Sequence, residues 1–482
     1  MFDIRSLFRS TFIYTLLGFL PMASAFVLTP VYTKYMMPEE YGKVALANIF
    51  QAYLSIFIAI GIDSAFTRFF FRYRKRAITN ALLSTSLISI LGISALLYIV
   101  FLLAGPQVFQ LAFDTPSFTY AEFGHFIFVT TMFAITYSVI SQYYRDSENL
   151  KAFSLLALTY FVFVTAGSYI GIVVFRGGAQ GSILGKMAGT VLTMIIYLCF
   201  FFYKTGFVFK PKYARQMYIY GYPLVIYSLL AVTFESMDRF FLNKHFTLND
   251  LGQYNLAFVV ASTIGIVLNS LQAAISPNVY KLLNSNQPDK HAQVNTIYKY
   301  MLWITLFIVV ACIAASYPVI NYFISANYHS CVVYIPLLAL AWMGRTYFMI
   351  YSNPLFFHGK TTYLPLINFI SVLIGIAANF ILINTYGIIG VCLAVVIIKM
   401  SQAILTAIFM RRAGLYNSTE YDFGRIHFVF LMVAASVLLI TTDLIPPISG
   451  VQLKYALPVA LFAILFLMFN YDKRQRKKNT VT

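Results

Sequence analysis

Four cations interrupt long apolar runs of this chain: Lys186, Arg239, Arg345 and Lys399. A Lys or Arg at the centre of a membrane helix disfavours insertion by roughly 2.5–3.5 kcal/mol, so such residues face a wet cavity or a partner. Fixed positive charge in a low dielectric can take an anion out of water, and an Arg grips phosphate oxygens through two donors at once. Lys399 lies about twelve residues into its run, about 18 Å at 1.5 Å per residue and close to the bilayer midplane, with Arg345 somewhat deeper. These two lead the candidates for contact with an anionic substrate. Arg239 follows Glu235 by four positions, with Asp238 adjacent, an order that favours local neutralisation on one helix face. Lys186, about five residues into its run, either faces a cavity or extends its amine to the interface.

The same runs hold Asp63, Glu235, Asp238 and His125. A driven transporter needs a group whose charge changes with conformation, and carboxylates and His are the available types. Glu235 leads here; Asp63, five residues before Arg68, is expected to form an ion pair with it. Asn269, Gln272, Asn368, Asn379 and Gln402 could contact sugar or tie helices together. Cys199, Cys312, Cys331 and Cys392 lie in or at the ends of apolar runs without CxxC spacing, so they are packing residues, and no metal set is indicated.

The elements that carry these residues follow from bulk properties. The chain has 482 residues, 60% hydrophobic and 10% charged, and a mean hydropathy of +0.77, which places it in a bilayer. Its net charge of +18 comes from clusters between apolar stretches of about 20 residues rather than from a nucleic-acid surface. Fourteen candidate helices result, near 11–30, 43–67, 78–104, 118–141, 152–175, 180–203, 218–241, 252–277, 299–324, 331–353, 363–384, 387–410, 426–445 and 452–470. One set of alternate loops, with both termini, carries 25 of the 34 Lys and Arg, whereas the opposite loops carry only Lys34, Lys43, Arg176, Lys244 and Lys454. The rich side stays in the cytoplasm, so both termini are expected there. RSLFRS followed by an apolar run and Ala23-Ser24-Ala25 imitates a signal peptide, but cleavage would remove a helix whose counterpart at 218–241 is retained.

The chain repeats itself. KYMMPEEYGKVALA (34–47) returns as KHFTLNDLGQYNLA (244–257), and GGAQGSILG from Gly177 answers YGIIGVCLA from Tyr386. The period is six helices. An even count makes the halves parallel, as in transporters that rock two halves around a central site. The expected organisation is an N-terminal lobe over 1–215, a C-terminal lobe over 216–415, and two further helices with a basic cytoplasmic tail over 416–482.

This plan, the clasp PEEYGKVALA at Pro38 and GIDSAFTRFF from Gly61 ahead of a basic loop resemble the bacterial oligosaccharide-lipid flippases of the O-antigen translocase type. These belong to the multidrug/oligosaccharidyl-lipid/polysaccharide exporter superfamily. The resemblance covers nearly the whole chain with loose motifs. It implies an all-α polytopic protein of the bacterial cytoplasmic (inner) membrane that moves a polyprenyl-pyrophosphate-linked oligosaccharide to the outer leaflet by alternating access. It also implies membrane lipids and polysaccharide polymerase machinery as partners. No cofactor is implied; a proton, a sodium ion or the membrane potential would drive it. A cation-coupled multidrug antiporter of the same superfamily should prefer acids in its cavity, and no acid lies between Thr11 and Pro30. A peptidoglycan-precursor flippase is a variant of the first reading.

Catalytic readings fail. GSILGKM at Gly181 is one spacer short of a P-loop and ends in Met187. There is no HExxH or GxSxG, and short outer loops disfavour a membrane glycosyltransferase or polymerase. Asn417-Ser418-Thr419 is a sequon on the expected cytoplasmic side, away from glycosylation.

Overall fold

The computed structural model describes residues 17–441, apart from 19, 74 and 114, and scattered positions from 460 to 471. The described residues are helical and without strands. They pack as two units, Met1–Gly252 and Gln253–Thr482. Among the described residues nine helices are long and apolar enough to cross a membrane, ten if one bent pair counts as a single span. The spans expected between 43 and 410 fall on described helices, with 43–67 and 331–353 each divided between two. The expected spans 11–30 and 452–470, and the basic tail from Lys473, lie partly or wholly outside the described residues.

In the first unit α1 (Leu20–Tyr35) leads to α2 (Pro38–Ala59), where Met37 is extended and Pro38 occupies the first turn, the position at which a missing N–H is harmless. The expected continuous span 43–67 breaks at Ile60 and Gly61. Ile60 has φ 45° and Gly61 φ 69°, and α3 (Ile62–Tyr73) starts after this break. The break lets Gly61 meet Gly221 backbone to backbone, with no room for a Cβ. Then come α4 (Arg76–Phe113), a π turn (Tyr120–Gly124), α5 (His125–Asp146) and α6 (Leu150–Tyr169). The unit continues through α7 (Gly178–Thr205) and α8 (Pro211–His245).

The α7–α8 link is extended and pinned by α4: Ser84 Oγ accepts from Val208 N at 3.0 Å and Thr85 Oγ1 from Lys210 N at 3.1 Å. Tyr73 OH donates to Gln216 Oε1 at 3.1 Å and Tyr53 OH to Thr233 Oγ1 at 3.0 Å. These contacts make α8 part of the first packed unit. The lobes expected from the repeat divide the chain at 215/216 by internal likeness, whereas packing divides it at 252/253, inside α9 (Leu248–Leu283).

The second unit holds α10 (Lys290–Phe323), a 3₁₀ helix (Ala326–Val333), α11 (Ile335–Phe357), α12 (Tyr363–Arg412) and α13 (Gly424–Thr441). Helix α12 comprises two arms that meet at Gly387, whose φ of 59° and ψ of −135° interrupt it where one span was expected to give way to the next. The loop from α12 to α13 is clamped along one face of α10. Glu420, 3% exposed, binds His291 Nδ1; Asn295 Nδ2 donates to Thr419 O at 2.5 Å and Lys299 Nζ to Asp422 Oδ2 at 3.0 Å. The sequon folds as a local turn, with Asn417 Oδ1 accepting from Thr419 N at 3.0 Å.

Candidate functional site

Lys186 lies eight residues into α7, about 12 Å from its N-terminus. This is deeper than the sequence reading, because the helix starts at Gly178. Its amine turns to α2 instead of extending to the interface, donating to Asn48 Oδ1 at 3.0 Å and Gln51 Oε1 at 2.8 Å. An ammonium only donates, so both amides must present their oxygens to it and their NH2 groups elsewhere. Among the described residues, the amine's recorded partners are these two amides, with no carboxylate paired to it. A positive charge at membrane depth is thus solvated by neutral groups, with four amide N–H donors beside it.

Helix packing explains the glycines of GSILGKMAG, the segment that imitated a P-loop. Gly181 and Gly185 lie backbone to backbone against Gly171 and Gly167 of α6 and its π-helical continuation, with no room for a Cβ. Spacing of four is the small-residue pattern of membrane helix pairs. Phosphate cradling plays no part in it.

In the second unit Lys399 is 4% exposed and its amine stands 5.0 Å from the centroid of Trp342, within cation–π range. Trp342 in turn covers Gly265, and Gly344 abuts the Lys399 backbone at a would-be Cβ distance of 2.7 Å. Lys399 lies about 18 Å beyond Gly387, as expected. Residues 326–333 form a separate helix bent 47° from α11, which leaves Arg345 ten residues, about 15 Å, from the start of α11. Its guanidinium stands 5.1 Å from the Phe348 ring centroid. Trp342 and Arg345 are three apart on α11 and share a face.

The remaining candidates are dispersed. Arg239 is buried and donates to the backbone oxygen of Glu235 at 3.4 Å; Asp238 is buried and Glu235 exposed. The expected Asp63–Arg68 pair does not form. Asp63 is exposed in the first turn of α3, where the helix dipole favours it, and Arg68 lies 4.4 Å from the Tyr220 ring centroid. His125 opens α5 with Nδ1 3.0 Å from Tyr98 OH. Several amides prove to be helix ties: Gln402 Nε2 donates to Asn368 Oδ1 at 2.8 Å and Gln272 Nε2 to Asn353 Oδ1 at 2.7 Å, while Asn379 bonds Gly375 O of its own helix. Among the described residues no group of three or more His, Cys, Asp or Glu could hold a metal. Asn48, Gln51 and Trp342 escaped the sequence reading. Asn48 and Gln51, three apart in an apolar run, carried the signal for a shared helix face.

The fold is that of multi-pass membrane transporters. It is similar to the lipid II flippase MurJ in an inward closed conformation, at a TM-score of 0.68 and 15% identity over 97% of this chain and 98% of that one. It is also similar to an inward-facing multidrug resistance MATE family transporter of the MOP superfamily, at 0.66 and 16% over 83% and 95%. Among curated proteins, "Lsg locus putative protein 1" of Haemophilus influenzae is 20% identical over 365 residues, 73% of this chain and 85% of that protein. An "uncharacterized membrane protein" of the same organism is 20% identical over 396 residues, 77% and 89% respectively. Residues 7–283 match the family model described as polysaccharide biosynthesis protein, and the chain belongs to that family. Its fold is shared with solved structures of the MurJ flippase and a MATE transporter.

Proposed function

We propose that this protein flips a polyprenyl-pyrophosphate-linked oligosaccharide from the cytoplasmic to the outer leaflet of a bacterial inner membrane, for surface polysaccharide assembly. The observation that carries this reading is Lys186, a cation in a long apolar helix held by two amide oxygens and, among the described residues, by no carboxylate. Such a charge favours an anion, and a pyrophosphate linker is the anion a lipid-linked glycan must bring through hydrocarbon. Arg345, Lys399 and Arg239 are assigned to the same role, and Glu235, Asp238, Asp63 and His125 to coupling with a proton, a sodium ion or the membrane potential. Both termini are cytoplasmic on this account, and lobes 1–215 and 216–415 rock to expose the headgroup alternately to each side while the lipid tail stays in the bilayer.

Deletion in the native host, with polyprenyl-pyrophosphate glycans quantified by mass spectrometry, tests the reading. Accumulation of lipid-linked repeat units as surface polymer falls is the expected result, and the accumulated glycan identifies the substrate. Unchanged glycans with new sensitivity to cationic drugs would instead assign an antiporter. Accumulated peptidoglycan precursor would assign the variant flippase.

A further inference from the structure

We propose that Glu40 is a positioning residue that sets the register of α7 on α2 and thereby holds Lys186 against Asn48 and Gln51. The proposal rests on the reading of Lys186 as an anion contact and goes beyond it to what places that cation.

Glu40 reaches between two helix starts. Its Oε2 accepts from Ala179 N at 2.8 Å, one of the unsatisfied N–H groups at the head of α7, while its Oε1 pairs with Lys43 at 2.6 Å. A carboxylate at a helix N-terminus also meets the positive end of the dipole. The approach depends on Gly178: its φ is +53°, and a Cβ there would stand 2.6 Å from Glu40 Oε2. From this staple both helices run into the membrane. Asn48 lies eight residues beyond Glu40 and Lys186 seven beyond Ala179, about 12 and 10.5 Å along the two axes. Similar depth follows from a common origin, and a shift of α7 by one residue would move the Lys186 backbone by about 1.5 Å and turn its side chain by about 100° around the helix.

The second copy of the repeat gives an internal comparison. Asp250 occupies the place of Glu40, two residues before the clasp glycine, but bonds within its own turn, to Thr247 N at 3.2 Å and Thr247 Oγ1 at 2.7 Å. Gly387 repeats the positive φ of Gly178, and the residue eight beyond it is Val395 rather than a cation. The staple occurs in the copy that carries a Lys at that depth.

The test uses the full chain in membranes with Asn48→Cys and Lys186→Cys, bridged by a short bis-methanethiosulfonate, in Glu40, Glu40→Ala and Glu40→Gln backgrounds. The Gln variant keeps an oxygen for Ala179 N–H. Cross-linking is expected to fall several-fold in Glu40→Ala and recover in Glu40→Gln, while a control pair at Tyr53 and Thr233 holds in all three. Unchanged cross-linking in Glu40→Ala, or an equal loss at the control pair, would overturn the proposal, the second by showing general loosening. Glycan export is measured separately with Lys186 intact. A weakened cross-link with normal export keeps the staple and removes Lys186 from the substrate path.

Discussion

Gly42 and Gly252, the glycines of the clasp and its echo, pack backbone to backbone in the first unit. A Cβ on Gly42 would overlap the carbonyl oxygen of Leu248, and one on Gly252 that of Pro38. The two copies of the repeated segment therefore meet at their corresponding residues, which is why the chain carries a glycine at both. Gly42→Val and Gly252→Val should each destabilise by about 1–3 kcal/mol or more, because the clash is with backbone, which cannot swing aside. Thermal aggregation of a fluorescent fusion in detergent reads the effect as a lower Tm; an unshifted Tm would show that the helices part without cost.

Lys186→Met is expected to lower glycan export at least tenfold with normal amounts of protein in the membrane, since the two amides remain but the charge does not. Lys186→Arg keeps the charge and should retain part of the activity. The check is export per molecule, with membrane abundance measured by immunoblot.

Trp342 supports Lys399 in two ways, as a cation–π platform and as the group that fills the space over Gly265. Trp342→Ala should cost about 3–5 kcal/mol, mostly from the cavity left behind. Trp342→Phe should retain most of the stability. Equal melting temperatures for the two variants would contradict this placement.

The buried carboxylate of Glu420 depends on His291. His291→Ala leaves that acid buried without its partner, at about 1–3 kcal/mol, and Glu420→Gln in the same background should restore part of the loss, because a neutral amide is cheaper to bury. Additive losses in the double variant would mean that the two side chains do not interact.

Much of the architecture was legible in the sequence because hydropathy and glycine act locally. The spans between 43 and 410 follow the apolar runs, and the turn glycines Gly178 and Gly387 stand where the repeat put them, both with positive φ. What sequence could not give depends on partners distant in the chain. At the Ile60–Gly61 break the close neighbour is Gly221, far along the chain. Arg68 chose the ring of Tyr220 over the nearer Asp63 for the same reason. Lys186 was legible as a cation at depth, but its partners Asn48 and Gln51 lie more than a hundred residues away and only the fold brings them together.

The most direct measurement of the central claim is translocation itself. Purified protein would be reconstituted into vesicles loaded with a fluorescent polyprenyl-pyrophosphate oligosaccharide, and the glycan exposed on one leaflet followed by its susceptibility to an added impermeant glycosidase. The account predicts that the wild-type chain makes the protected half of the substrate susceptible and that Lys186→Met does so at least tenfold more slowly. Equal rates for the two proteins, or for vesicles without protein, would contradict it.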